Sequence, residues 1–82
     1  MEKSVFTREY RALLRLLRET RRAANVTQTQ LAKRLGQSQS FISKCERGER
    51  RLDVIQLRTI CHLLGTTLSE FVRELERRLA RK

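Results

Sequence analysis

Residues 27 to 48, TQTQLAKRLGQSQSFISKCERG, hold two short amphipathic helices with only Gly36-Gln37-Ser38 between them. A break that short braces the second helix against the first and leaves little choice in how the pair packs. The earlier helix opens with Thr27 as N-cap and Gln30 three residues on, the spacing of a capping box, and stops at Gly36. Ser38 caps the next, which runs from Gln39 to Arg47 and ends at Gly48. Leu31, Ala32 and Leu35 point inward from one helix, Ile42 and Cys45 from the other.

The same punctuation runs through the rest of the chain. A first helix is expected from about Arg8 to Ala24. Its Leu13, Leu16, Leu17, Thr20 and Ala24 share a face, and Arg11, Arg15, Arg18 and Arg22 form a narrow stripe opposite. Asn25 suits a left-handed cap at its end. Beyond the basic loop Glu49-Arg50-Arg51, Asp53 is the N-cap of a fourth helix over Val54–Leu64, whose Leu57, Ile60, Cys61 and Leu64 face inward and which Gly65 closes. Thr67 and Glu70 repeat the capping-box spacing before a fifth helix carrying Leu68, Phe71, Val72, Leu75 and Leu79. No segment alternates with period two, so no sheet is expected. The reading is an all-α fold, a compact five-helix bundle. It forms one domain over 1–82, with a core over about 8–73 and the last helix extending to about 80.

Eighty-two residues bury roughly 60–65% of their unfolded surface, enough for one small core and no separate catalytic domain. Hydrophobic content of 39% beside 34% charged suits a folded helical domain rather than a disordered tail. There is no proline and there are only three glycines, so no stretch reads as a linker. Charged residues after Met1, and apolar pairs interrupted by Arg15, argue against a signal peptide or membrane span and for a cytoplasmic protein. Cys45 and Cys61 sit at inward positions and read as core packing rather than a disulfide. With His62 alone they are too few for a metal site. No nucleophile–base pair, roomy carboxylate pair or phosphate loop is present, so the chain does not read as an enzyme, and no cofactor or small-molecule ligand is implied.

Charge and the exposed face of the third helix narrow the function. Nineteen Lys and Arg stand against nine Asp and Glu, a formal charge of +10. Gln39, Ser40, Ser43 and Lys44 share the outward face of the 39–47 helix. Amides, hydroxyls and an ammonium on a short braced helix are the groups that read base edges in a major groove. Gln pairs bidentately with adenine, and Lys donates to guanine O6 and N7. A helix N-terminus offers unpaired N–H groups and partial positive charge, so Gln28 at the start of the second helix suits a phosphate. Arg47, Arg50 and Arg51 surround the exit of the third helix within reach of the DNA backbone.

Thr27-Gln28, Leu31-Ala32, Leu35-Gly36, Ser38-Gln39-Ser40, Ile42-Ser43 and Glu46-Arg47-Gly48, followed by Leu57, Ile60, Cys61, Leu64 and Gly65, form a regular pattern over residues 20 to 72. In this the chain resembles the helix-turn-helix DNA-binding domains of the Cro/phage-repressor (XRE-like) type. The resemblance implies a lambda-repressor-like bundle, usually dimeric on DNA, with the third helix in the major groove. It implies base contact by Gln39, Ser40 and Lys44 with Ser43 alongside, and phosphate contact by Gln28. It also implies a structural ion pair between Arg21 and Glu46, since the family often places a basic partner where Arg21 stands. Position 41 departs from the pattern, with a Phe that can pack under the loop or touch a thymine methyl. Position 25 is Asn where many relatives have Gly.

The function expected is a sequence-specific double-stranded DNA-binding transcriptional regulator, a bacterial or phage repressor acting as a homodimer on a palindromic operator. The dimer surface is expected on exposed residues of the fourth helix with Leu75 and Leu79, which continue the apolar stripe past what one small core covers. An antitoxin that represses its own operon is an alternative within the class. A basic amphipathic membrane-surface protein is one outside it, though tidy caps and a shared core pattern are more than a surface peptide needs. RNA binding lacks an aromatic platform, with one Tyr and three Phe in the chain. The arginine stripe of the first helix reads as a solvated face with long-range attraction for DNA.

Overall fold

The computed structural model describes residues 7–80, so the ends of the expected 1–82 domain lie outside the described residues. Five helices and no strand occur among them: α1 (Arg8–Ala23), α2 (Gln28–Leu35), α3 (Gln39–Glu46), α4 (Val54–Leu63) and α5 (Leu68–Ala80).

Each helix starts where a side chain can take up an orphan N–H. The capping box at α2 closes in both directions, with Gln30 N–H donating to Thr27 Oγ1 at 3.0 Å and Thr27 N–H donating to Gln30 Oε1 at 2.9 Å. Asp53 and Gln56 form a second reciprocal box at α4, beyond the simple cap expected there. Thr7, not foreseen, caps α1 by accepting from Tyr10 N–H. At α5 Thr67 Oγ1 accepts from Glu70 N–H at 3.1 Å, and the Glu70 carboxylate accepts from the hydroxyl of Thr66.

The helix ends share one device. After α1, Asn25 takes φ 61°, its N–H donates to Arg22 O at 2.9 Å, and Val26 N–H donates to Arg21 O at 3.2 Å. This is a Schellman closure, and Asn is one of the few non-glycine residues that enters the left-handed region at low cost. Gly36, at φ 76°, closes α2 in the same way and turns the chain sharply into Ser38. The short break between α2 and α3 therefore rests on backbone bonds rather than on loop length.

The core draws from every helix. Leu16 and Leu17, Leu31 and Ala32, Ile42 and Cys45, Leu57, Ile60 and Cys61, and Phe71 are all buried, with Val26 plugging the α1–α2 corner. Both cysteines are free thiols. Burial pushes the Cys61 thiol up to about 11. α2 packs on α3 and α4, α1 on α3 and α5, and α4 on α5.

One expectation is corrected here. Leu75 does not project from the molecule but packs against the core, and Leu79 is also half-buried, its carbonyl accepting from Arg8 Nη2 at 3.3 Å. The reason is length: α1 runs 16 residues and α5 13, about 24 and 20 Å, so α1 covers the apolar stripe along much of α5. Among the described residues, the large apolar side chains left exposed are Val54, Ile55 and, on the stripe itself, Val72.

Candidate nucleic-acid interface

α3 is eight residues long and sharply divided. Phe41, Ile42, Cys45 and Glu46 are buried, whereas Gln39, Ser40 and Lys44 are exposed and Ser43 is half-buried. Among the described residues the side chains of Ser40 and Lys44 make no hydrogen bond or ion pair. Their donors are held out by a helix fixed from behind.

What fixes it is a network around Glu46. Arg21 approaches with both arms, Nε to Oε2 at 2.6 Å and Nη2 to Oε1 at 3.1 Å, while its Nη1 donates to Val26 O at 2.9 Å. Gln28 Nε2 donates to Glu46 Oε1 at 2.9 Å, and Arg18 lies 3.6 Å away. Burial would raise the Glu46 carboxyl, but the hydrogen bonds from Arg21 and Gln28 and the charges of Arg21 and Arg18 outweigh it. The group therefore lies below the ordinary carboxylate value and stays ionised. The end of α3 is thus tied to the end of α1 and the start of α2.

The network continues outward. Gln28 Oε1 accepts from Gln39 Nε2 at 2.7 Å, which links the first residues of α2 and α3. Gln28, expected at a phosphate, is half-buried with its side chain occupied between Glu46 and Gln39. The Thr27 cap takes up the Gln30 N–H, so the Gln28 and Thr29 N–H groups are the donors this helix start offers an anion.

The three arginines after α3 are not a loose fringe. Arg47 is paired with Glu49 at 2.9 Å and donates to the Ser43 hydroxyl, so two expected DNA-contacting residues touch each other. The Arg50 guanidinium lies over the Phe41 ring, 5.0 Å from its centre, and Arg51 lies over Tyr10 at 4.8 Å. Phe41, 8% exposed, therefore packs under the loop rather than presenting itself to a base. Two contributors escaped sequence reasoning. Arg18 belongs to the Glu46 network, and Arg22 lines a shallow depression with Thr27, Gln28, Thr29 and Gln39. The signal was their spacing around Arg21, at i−3 and i+1.

Comparison with known proteins agrees with this geometry. A helix-turn-helix family pattern matches residues 17–71, spanning α2, α3 and the helices that hold them. The chain belongs to the XRE-type helix-turn-helix family. It is similar to the solved structure of an XRE-family like protein from Pseudomonas syringae pv. tomato, at 48% identity over 92% of each chain and a TM-score of 0.83. A second similar structure is the clp gene regulator ClgR from Corynebacterium glutamicum, at 30% identity, covering 84% of this chain and 73% of that one, with a TM-score of 0.75. No match was found among curated protein sequences. As an XRE-type protein the chain is a DNA-binding transcriptional regulator. Among its described residues no helix is long and apolar enough to cross a membrane, and no cluster of metal-ligating side chains occurs.

Proposed function

We propose that this XRE-type protein is a cytoplasmic repressor that reads a palindromic operator as a homodimer, α3 of each copy lying in the major groove. The observation that carries the reading is the outward face of α3. It presents Gln39, Ser40 and Lys44 beside the α2 N-terminus, with Ser40 and Lys44 uncommitted among the described residues. In this reading Gln39, Ser40, Ser43 and Lys44 contact bases. The α2 N-terminus at Gln28, with Arg47, Arg50 and Arg51, contacts the backbone.

A single recognition helix reads too few base pairs to single out a site in a genome, which favours pairing. Val54 and Ile55, 61% and 67% exposed, follow directly on the basic loop at the exit of α3 and support a contact surface there. Pairing by α4 near that exit would set two copies of α3 side by side, as half-sites about 34 Å apart require. The +10 charge of each copy opposes association, so the dimer forms chiefly on DNA. Selection of bound duplexes from a random pool tests the reading. One enriched motif with two-fold symmetry is the result expected, whereas equal retention of all duplexes would overturn it.

A further inference from the structure

Arg11, Arg15, Arg18 and Arg22 follow one another along the outer face of α1 at i+4, i+3 and i+4. Among the described residues, the side chains of Arg11, Arg15 and Arg22 make no hydrogen bond or ion pair, and that of Arg18 reaches only toward Glu46. Several other surface arginines are answered internally, Arg77 by Glu74, Arg78 by Glu74 and Glu19, Arg47 by Glu49, while Arg58 and Arg73, also without a partner among the described residues, do not stand in a row. Like charges at these spacings destabilise a helix, so an unanswered row is disfavoured unless an external anion meets it.

The row is continuous with the interface. Arg22 shares a depression of about 390 Å³ with Gln28 and Gln39. A second, of about 410 Å³, runs along α1 past all four arginines. A third, of about 540 Å³, shares Arg11 and Arg15 with it and lies between α1 and α5, lined also by Arg8, Arg77 and the Arg78–Glu19 pair.

We propose that this row is a phosphate track, a second DNA-binding surface that carries duplex backbone beyond the base pairs read by α3. The proposal rests on the DNA-binding reading above and extends it. From Arg11 to Arg22 is about 16 Å of helix, over which one strand of B-DNA presents about five phosphates. Guanidinium forks suit phosphate oxygens. A protein partner would seek an apolar centre, and the second depression has Leu14 as its one apolar lining residue. The stripe read from sequence as a solvated face thus acquires a local role.

Salt dependence of binding reads out phosphate contacts. Arg11→Gln with Arg15→Gln should flatten the slope of log Kobs against log salt by about 2 on a duplex carrying about ten base pairs of flank on each side of the selected motif. It should leave binding to a duplex trimmed to the motif unchanged. Lys33→Gln with Arg73→Gln removes the same charge elsewhere on the exposed surface and should flatten the slope far less. Because Arg11 and Arg15 have no internal partner, their double variant should melt no lower than wild type. Equal slopes for wild type and the row variant would overturn the track, as would equal losses in the two double variants. Wild type that binds no duplex at all would sink the DNA-binding reading itself.

Discussion

Replacing Glu46 by alanine leaves buried Arg21, 7% exposed as a residue, without the carboxylate that takes two of its hydrogen bonds at 2.6 and 3.1 Å. Gln28 loses its acceptor at the same time. Removing one partner of a buried ion pair costs about 3–5 kcal/mol, because the remaining charge stays desolvated. A domain of this length has a total stability on the order of 4–12 kcal/mol. At about 4 °C or more per kcal/mol, the midpoint of a thermal melt should fall by at least about 12 °C. Glu49→Ala is the control, since it removes an exposed pair with Arg47 and should move the midpoint little. Replacing the pair together, by Arg21→Met with Glu46→Leu, should recover much of the loss, as apolar substitutes leave no unpaired charge. Acid gives an independent reading. The Glu46 pKa is lowered in the fold, whereas the unfolded chain titrates near about 4.3. Its contribution is therefore present in full above about pH 5 and lost as pH falls through the lowered folded value. Glu46→Gln should remove that part of the acid dependence. A Glu46→Ala melt no lower than that of Glu49→Ala would refute the reasoning.

Lys44→Ala and Gln39→Ala should each change the motif selected from random duplexes, at about 1–3 kcal/mol of discrimination per base contact, whereas Arg51→Ala should weaken all sequences alike. An unaltered motif for Lys44→Ala would mean the reading face lies elsewhere. Ile55→Glu should fold as wild type yet lose operator affinity, and Leu75→Glu should lower the melting midpoint, because one side chain is exposed and the other packs on the core. Asn25→Ala should cost about 1–2 kcal/mol in a denaturant melt while Asn25→Gly costs little, since φ 61° penalises a Cβ that lacks the local bonding of Asn. Cys61, buried and with its thiol raised to about 11, should resist a thiol reagent until denaturant unfolds the chain.

Most of the fold was legible because its rules are local. Thr27 with Gln30, Ser38, Asp53, and the stops at Asn25, Gly36, Gly48 and Gly65 each act through neighbours a few residues away. The structure has the caps and left-handed stops at those positions. What escaped depends on how helices cross. On a helical wheel Val72 and Leu75 lie on the same apolar arc of α5, and nothing in the sequence says that α1 passes over one side of it. In the fold Leu75 is covered and Val72 is 39% exposed. Phe41 was ambiguous for the same reason. Its ring is buried by Arg50, nine residues on, and the course of that loop is set by the α3 stop and by Arg51 stacking on Tyr10 of a different helix.

The Glu46 network also joins stability to recognition. Burial falls along the series from Arg21 and Glu46, both buried, through Gln28, half-buried, to Gln39, exposed. Each member holds the next, by bonds of 2.6, 2.9 and 2.7 Å. A Gln side chain at a helix start has several rotamers, and fixing one costs entropy at the moment of binding. Here the bond to Gln28 meets part of that cost in advance, and Gln28 is itself held by a carboxylate that burial and two arginines keep in place. In the proposed reading Gln39 therefore meets DNA partly pre-oriented, with one amide hydrogen committed and the other, with the carbonyl, left for an adenine edge. The ion pair that secures the end of α3 to α1 is, through Gln28, also what aims the first residue proposed to read a base.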